Sequence, residues 1–139
     1  MLKNTFYTIK EITDTDNSRN YLVSLNALHP IFQAHFAGNP IMPGACVVQL
    51  IKELTSDCFK QDFVTRTIEN MKFLYEINPL KTPEISVRLT FSKQDKGDVS
   101  EQTAVFVQEN DRFSVSTILS VGDLIFSKST IKFEKKAYQ

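Results

Sequence analysis

His35-Phe36-Ala37-Gly38-Asn39-Pro40-Ile41-Met42-Pro43-Gly44 runs directly into Ala45-Cys46-Val47-Val48-Gln49-Leu50-Ile51-Lys52-Glu53-Leu54, and this junction decides the fold. Two prolines and two glycines fall within the seven residues from Gly38 to Gly44. Proline fixes φ and glycine admits backbone shapes closed to other residues, so such a loop has few alternatives. Beyond Gly44, the residues Val47, Ile51, Leu54 and Cys58 recur at spacings of three and four, which predicts a helix over residues 44–60. The first N–H groups of that helix lack intrahelical acceptors and lie at the positive end of its dipole. The Gly44 N–H is therefore placed to polarise a carbonyl oxygen.

On either side of this helix the sequence reads as strand. Residues 6–12 form a first strand, and Tyr21, Val23 and Leu25 alternate with more polar neighbours in a second, with residues 13–20 as the loop between them. After the helix come residues 67–74, then Ile85, Val87, Leu89 and Phe91 in strict alternation, then Thr103, Val105 and Val107. Glu109-Asn110-Asp111 reads as a turn before the alternating Phe113, Val115, Thr117, Leu119 and Val121, and Gly122-Asp123 turns the chain into a last strand over residues 124–133. One long helix among meandering strands calls for an α+β layout, an antiparallel sheet curled around a single helix.

Length and charge bound the rest. The 139 residues suit a single domain over residues 1–139, and no repeat or linker divides them. Lysine plus arginine and aspartate plus glutamate are equal at 16 each, with the charges scattered, which argues against a nucleic-acid face or a polybasic membrane anchor. Cys46 and Cys58 both fall in the predicted helix, too far apart at about 1.5 Å per residue to form a disulfide, and are expected to be reduced and buried. No stretch approaches the roughly 18 apolar residues of a membrane span and the first residues lack a signal-peptide core, so a cytoplasmic address is expected.

His35 stands just upstream of the rigid loop, as a base facing an oxyanion site would. The structural alternative is that His35 packs between Phe32 and Phe36 while Pro43-Gly44 simply starts a helix. His29-Pro30 reads as ordinary turn chemistry.

The segment from His29 to Glu53 resembles the active-site region of the bacterial 3-hydroxyacyl-acyl-carrier-protein dehydratases, whose mark is an HFPGxPIMPG-like loop entering a central helix. Ala37 departs from it, standing where the family usually has proline. The likeness continues more weakly through Met71-Lys72-Phe73-Leu74 and Ile77-Asn78-Pro79. It implies a hot-dog fold, dimerisation by joining two sheets edge to edge, and active sites at the interface. By the same resemblance His35 is the base that removes the α-proton of a 3-hydroxyacyl thioester, oriented by a backbone carbonyl near Ile41. The Gly44 N–H holds the thioester oxygen, and Phe36, Gly38, Ile41, Met42 and Pro43 line the substrate. No metal or redox cofactor is implied. The expected partners are an acyl carrier protein with a phosphopantetheine-linked acyl chain and a second subunit, either identical or a homologous dehydratase.

The family's acid is a carboxylate on the partner's helix, fourteen residues after the histidine, and an amide-bearing residue commonly follows one turn later. Here the order is reversed: Gln49, then Glu53. An amide orients a hydroxyl but cannot transfer a proton at neutral pH, so the missing acid costs about two to four orders of magnitude in rate. Positions i and i+4 share a helix face, so Glu53 is expected to act as the acid or to position the leaving hydroxyl, helped by Gln49. The alternative for Glu53 is a solvated surface charge. For the whole chain the expectation is dehydration to a trans-2-enoyl thioester in fatty-acid or polyene-type biosynthesis. The alternatives are a hot-dog acyl thioesterase and a catalytically impaired subunit of a heterodimeric dehydratase.

Overall fold

The computed structural model describes residues 2–15, 17–34, 38–92 and 112–136. Its elements run β1 (Tyr7–Asp14), β2 (Ser18–Leu25), α1 (Pro30–Ala34), α2 (Gly44–Phe59), β3 (Phe63–Phe73), β4 (Glu84–Ser92), β5 (Arg112–Val121) and β6 (Leu124–Lys135). All six strands join one sheet in the order β1-β2-β4-β5-β6-β3, with every neighbouring pair antiparallel. The expected strand around Thr103, Val105 and Val107 and the turn at Glu109-Asn110-Asp111 lie outside the described residues.

Alternation decides which face of the sheet is buried. Tyr21, Val23, Ile85, Val87, Leu89, Phe113, Val115, Leu119, Ile131 and Phe133 all point inward and are inaccessible to solvent or nearly so. They meet Val47, Leu50, Ile51 and Leu54 of α2, so the helix supplies the opposite wall of one core. At the C-terminal end of α2, Phe59 packs edge-on against Phe63, Phe91 and Phe113, with ring centroids 4.9 to 6.2 Å apart, a geometry aromatic rings favour. The helix stops at Lys60, which takes a left-handed conformation (φ 53°) and returns its N–H to the Ser56 carbonyl.

The structure amends the expected elements in three places. The loop between the first two strands is shorter than residues 13–20, because β1 extends to Asp14 and β2 starts at Ser18. Strand β3 begins at Phe63 rather than residue 67; it carries register shifts between Thr65 and Thr67 and between Glu69 and Lys72, with Asn70 at φ 52°, and each breaks the period of two. The helix α2 is sixteen residues long and is not alone, since α1 forms a short turn of helix after His29. There His29 Nδ1 accepts the Ile31 N–H at 3.1 Å, which satisfies one of the donors left open at a helix start.

Cys46 and Cys58 are free, as the spacing requires, with Cys46 buried and Cys58 half-buried. Burial pushes the Cys58 thiol up to about 11 and raises that of Cys46. Among the described residues no helix is long and apolar enough to cross a membrane.

Candidate functional site

The start of α2 is built by Pro43, whose extended backbone (φ −64°, ψ 148°) delivers the chain into the helix and whose carbonyl accepts the N–H groups of Cys46 and Val47 at 3.0 and 3.2 Å. Proline has no side-chain cap to offer, so the N–H groups ahead of Cys46 remain the open donors of the first turn. Two contacts fix the loop beside this end. Met42 donates its N–H to the Ile77 carbonyl at 2.8 Å, and Asn78 Nδ2 reaches Asn39 Oδ1 at 3.1 Å. Gly38 occupies φ +82°, where a side chain would be strained.

Between loop and sheet lies a pocket of about 240 Å³ whose lining includes Ile41, Met42, Gly44, Val47, Phe73 and Ile77. A Cβ on Gly44 would stand 3.1 Å from Phe73 Cζ, so the glycine is what lets the Phe73 ring lie against the helix entrance. That ring is nevertheless 54% exposed. Ile41, Met42 and Gly44 thus border one pocket, and Pro43 joins them in the chain. His35 and Phe36 lie outside the described residues. Phe32, the expected neighbour of His35, stacks on Phe6 at 4.7 Å, and Phe6 meets the edge of the His29 ring at 5.2 Å.

Gln49 and Glu53 sit farther along α2 and border a different recess, a groove of about 610 Å³ that also takes in Lys3, Lys52, Ser56 and Lys60. Within one chain, therefore, the Gly44 pocket and the Gln49–Glu53 pair are separate. Glu53 is 8% exposed, which sets aside the solvated surface charge. Its Oε1 and Oε2 share the Leu2 N–H at 3.0 and 2.8 Å. Oε1 also accepts the Lys3 N–H at 2.9 Å and the Tyr7 hydroxyl at 3.2 Å, and Oε2 accepts Gln49 Nε2 at 2.7 Å. Every one of these partners is a donor, an arrangement that suits a carboxylate. Burial first, and then the neighbouring Glu53 charge, push the Tyr7 hydroxyl well above the ordinary tyrosine range, so it stays a donor.

One turn on, Asp57 collects the Tyr21 hydroxyl at 3.0 Å, Lys3 Nζ at 3.2 Å and Lys60 Nζ at 3.3 Å. Burial raises its carboxyl, but these bonds outweigh burial and hold it below the ordinary range. Tyr7 and the backbone of Leu2 and Lys3 were not among the expected site residues. Their contact with Glu53 spans some fifty positions of sequence, and no local pattern announces it. No group of three or more histidine, cysteine, aspartate or glutamate side chains able to hold a metal ion occurs among the described residues.

A family model described as ApeI-like, ApeI dehydratase, matches residues 11–110. Several solved structures share the fold at low sequence identity. The dehydratase heterocomplex ApeI:P from Xenorhabdus doucetiae is 13% identical, with a TM-score of 0.62 over 91% of this chain and 96% of that one. A sigma28-regulated virulence protein from Campylobacter jejuni is 10% identical, with a TM-score of 0.63 over 96% of this chain and 86% of that one. A thioesterase from Haemophilus influenzae is 10% identical, with a TM-score of 0.59 over 95% of this chain and 79% of that one. These likenesses are of fold alone: a hot-dog type of architecture with a six-stranded antiparallel sheet, though with two helices among the described residues instead of the expected one long central helix. No curated protein matches the sequence.

Proposed function

The chain belongs to the ApeI-like family, the ApeI dehydratases, and from that premise we propose that it removes water from a 3-hydroxyacyl thioester carried on an acyl carrier protein, leaving a trans-2-enoyl thioester. The single observation that carries this reading is the helix entrance, where Gly44 opens α2 with uncapped N–H groups beside a pocket of about 240 Å³. The C2–H bond breaks toward His35 as the base, and the electron pair enters the thioester, whose oxygen gathers charge against the Gly44 N–H. The C3–O bond then breaks, and the departing hydroxide takes a proton to leave as water.

In our reading the Gln49 amide of the partner subunit's helix meets that hydroxyl. Because the Glu53 carboxylate holds the Gln49 nitrogen, the amide oxygen is the atom left to accept from a hydroxyl. Glu53 then positions the leaving group through Gln49, and the proton on His35 after the first step is the one available to the hydroxide. Phe36, Gly38, Ile41, Met42 and Pro43 are assigned to the walls around the thioester. Dimerisation along β3 fits its place at the sheet edge, where Val64 and Ile68 are exposed.

A second reading is favoured by one residue. With Gln49 in place of a carboxylic acid, a heterodimer with a homologous dehydratase would give one site this chain's His35 and the partner's acid. The test is to incubate the purified chain with a 3-hydroxyacyl carrier protein and identify the product by mass. Loss of one water supports dehydration by the chain alone. Loss of water only after a homologous subunit is added supports the heterodimer, and release of free acid with the carrier thiol overturns both in favour of hydrolysis.

A further inference from the structure

Three hydroxyls interrupt the apolar inner face of the sheet. Thr117 on β5 and Ser127 and Ser129 on β6 are 1%, 1% and 6% exposed, and the side-chain oxygen of each is buried without a hydrogen-bond partner. Their register places them together. Thr117 stands opposite Ser129, and Ser127 stands between Leu119 and Phe73. Cross-strand partners share a face, so Ser127 stands beside Phe73, whose ring covers Gly44. The Thr117–Ser129 pair is two residues deeper, about 7 Å along the strand.

Hydroxyls sealed in an apolar core without partners oppose folding, and such a site is ordinarily filled by alanine or valine. Here three of them share one face of the sheet, and the first stands beside the phenylalanine at the helix entrance. That phenylalanine, Phe73, is more than half exposed, so little packing holds its side chain in place. A group entering at Gly44 and turning Phe73 outward meets Ser127 first, and then Ser129 and Thr117.

We propose that Ser127, Ser129 and Thr117 are the polar wall of an acyl-binding channel behind Phe73, and that this wall selects an acyl group carrying an oxygen function, hydroxyl or carbonyl, along its chain. The inference rests on the acyl-thioester reading above and adds the chemistry of the acyl group. A plain hydrocarbon in this channel would leave the hydroxyls unpaired, whereas an oxygenated chain pairs them. Discrimination is strong where a site built to hydrogen-bond a ligand meets an analogue without the matching atom.

The test is a binding measurement that does not depend on turnover. Two non-cleavable probes are compared, a saturated acyl group joined to pantetheine by an amide and the same chain with a hydroxyl at its far end. The full chain should bind the hydroxylated probe about two- to tenfold more tightly, the factor that one net hydrogen bond contributes. A Thr117→Val, Ser127→Ala, Ser129→Ala variant should lose that preference while its Tm rises, by about 3 °C or more. Ser129→Ala alone provides the same comparison should the triple variant fold poorly. Equal binding of the two probes by the parent chain, binding of neither, or an unchanged preference in a folded variant overturns the proposal. If the chain dehydrates plain 3-hydroxyacyl carrier proteins without discriminating between the probes, the dehydratase reading stands and this one falls. If it binds the hydroxylated probe selectively but yields no enoyl product, the reverse holds.

Discussion

The Gln49 amide donates from Nε2 to Glu53 Oε2 at 2.7 Å, one turn along α2, and this contact fixes which end of the amide is presented elsewhere. A carboxylate accepts and does not donate, so the nitrogen must face Glu53 and the amide oxygen must face away. Gln49 is therefore a held acceptor, suited to a hydroxyl or a water. The same carboxylate ties down the backbone at Leu2 and Lys3, so the residue that orients the amide also closes the N-terminal segment over the helix.

Removing that carboxylate should cost stability first. Glu53→Ala leaves the Leu2 and Lys3 N–H groups and the Tyr7 hydroxyl without their acceptor, and charge-assisted bonds to a largely buried group are among the stronger ones. A loss of about 2–4 kcal/mol is expected in urea denaturation. A loss below about 0.5 kcal/mol, the ordinary range for a surface change, would mean the clamp does not hold in solution.

Gly44→Ala separates folding from chemistry. Alanine favours a helix over glycine by about 1 kcal/mol, and the exposed Phe73 ring can yield to a Cβ that would otherwise stand 3.1 Å from it, so thermal stability should hold or rise. The added methyl also crowds the N–H to which we assign the thioester oxygen, and kcat/KM should fall by about a hundredfold, the scale of losing one oxyanion donor. A variant with full activity would remove Gly44 from the site.

Asp57 sets an acid limit on stability. Its carboxyl is held below the ordinary range by Tyr21, Lys3 and Lys60 against the opposing effect of burial. A depressed folded pKa means that its contribution is complete above the ordinary carboxylate range and disappears as pH falls through the folded value. Asp57→Asn should therefore destabilise the chain by about 1 kcal/mol near neutral pH, and the gap to the parent should close below about pH 4. Urea midpoints measured across this range decide it, and a gap that stays constant into acid would assign the effect to packing rather than to charge.

How much of this was legible depends on the range of the interaction. The start of α2 could be read from Pro43 and Gly44, and the inward faces of β2, β4 and β5 from alternation, because both signals are local. The start of β3 could not, since its two register shifts and the left-handed Asn70 scramble the period over which a strand is recognised. Nor could α1, whose five residues are too few to show a helical repeat. Thr117 was visible as an inward position, yet nothing nearby revealed that its hydroxyl, with those of Ser127 and Ser129, would be buried without a partner. Glu53 likewise looked like a companion of Gln49, which it is, but its tie to Leu2, Lys3 and Tyr7 depends on the whole sheet closing.

The reversed order of Gln49 and Glu53 can be put right by exchange. Gln49→Glu alone sets two carboxylates side by side at the distance of the present 2.7 Å hydrogen bond, where like charge raises one pKa and costs stability. Gln49→Glu combined with Glu53→Gln keeps an amide and a carboxylate in contact while moving the acid to the position we assign to the leaving hydroxyl. If the missing acid limits the rate, the double exchange should raise kcat for dehydration by about a hundredfold, the lower end of what a positioned general acid contributes. It should also introduce an alkaline limb into the pH profile of kcat that the parent lacks, because the new acid must be protonated to act. An unchanged rate and profile would instead leave His35 to carry the proton both ways, with Gln49 only holding the hydroxyl in line.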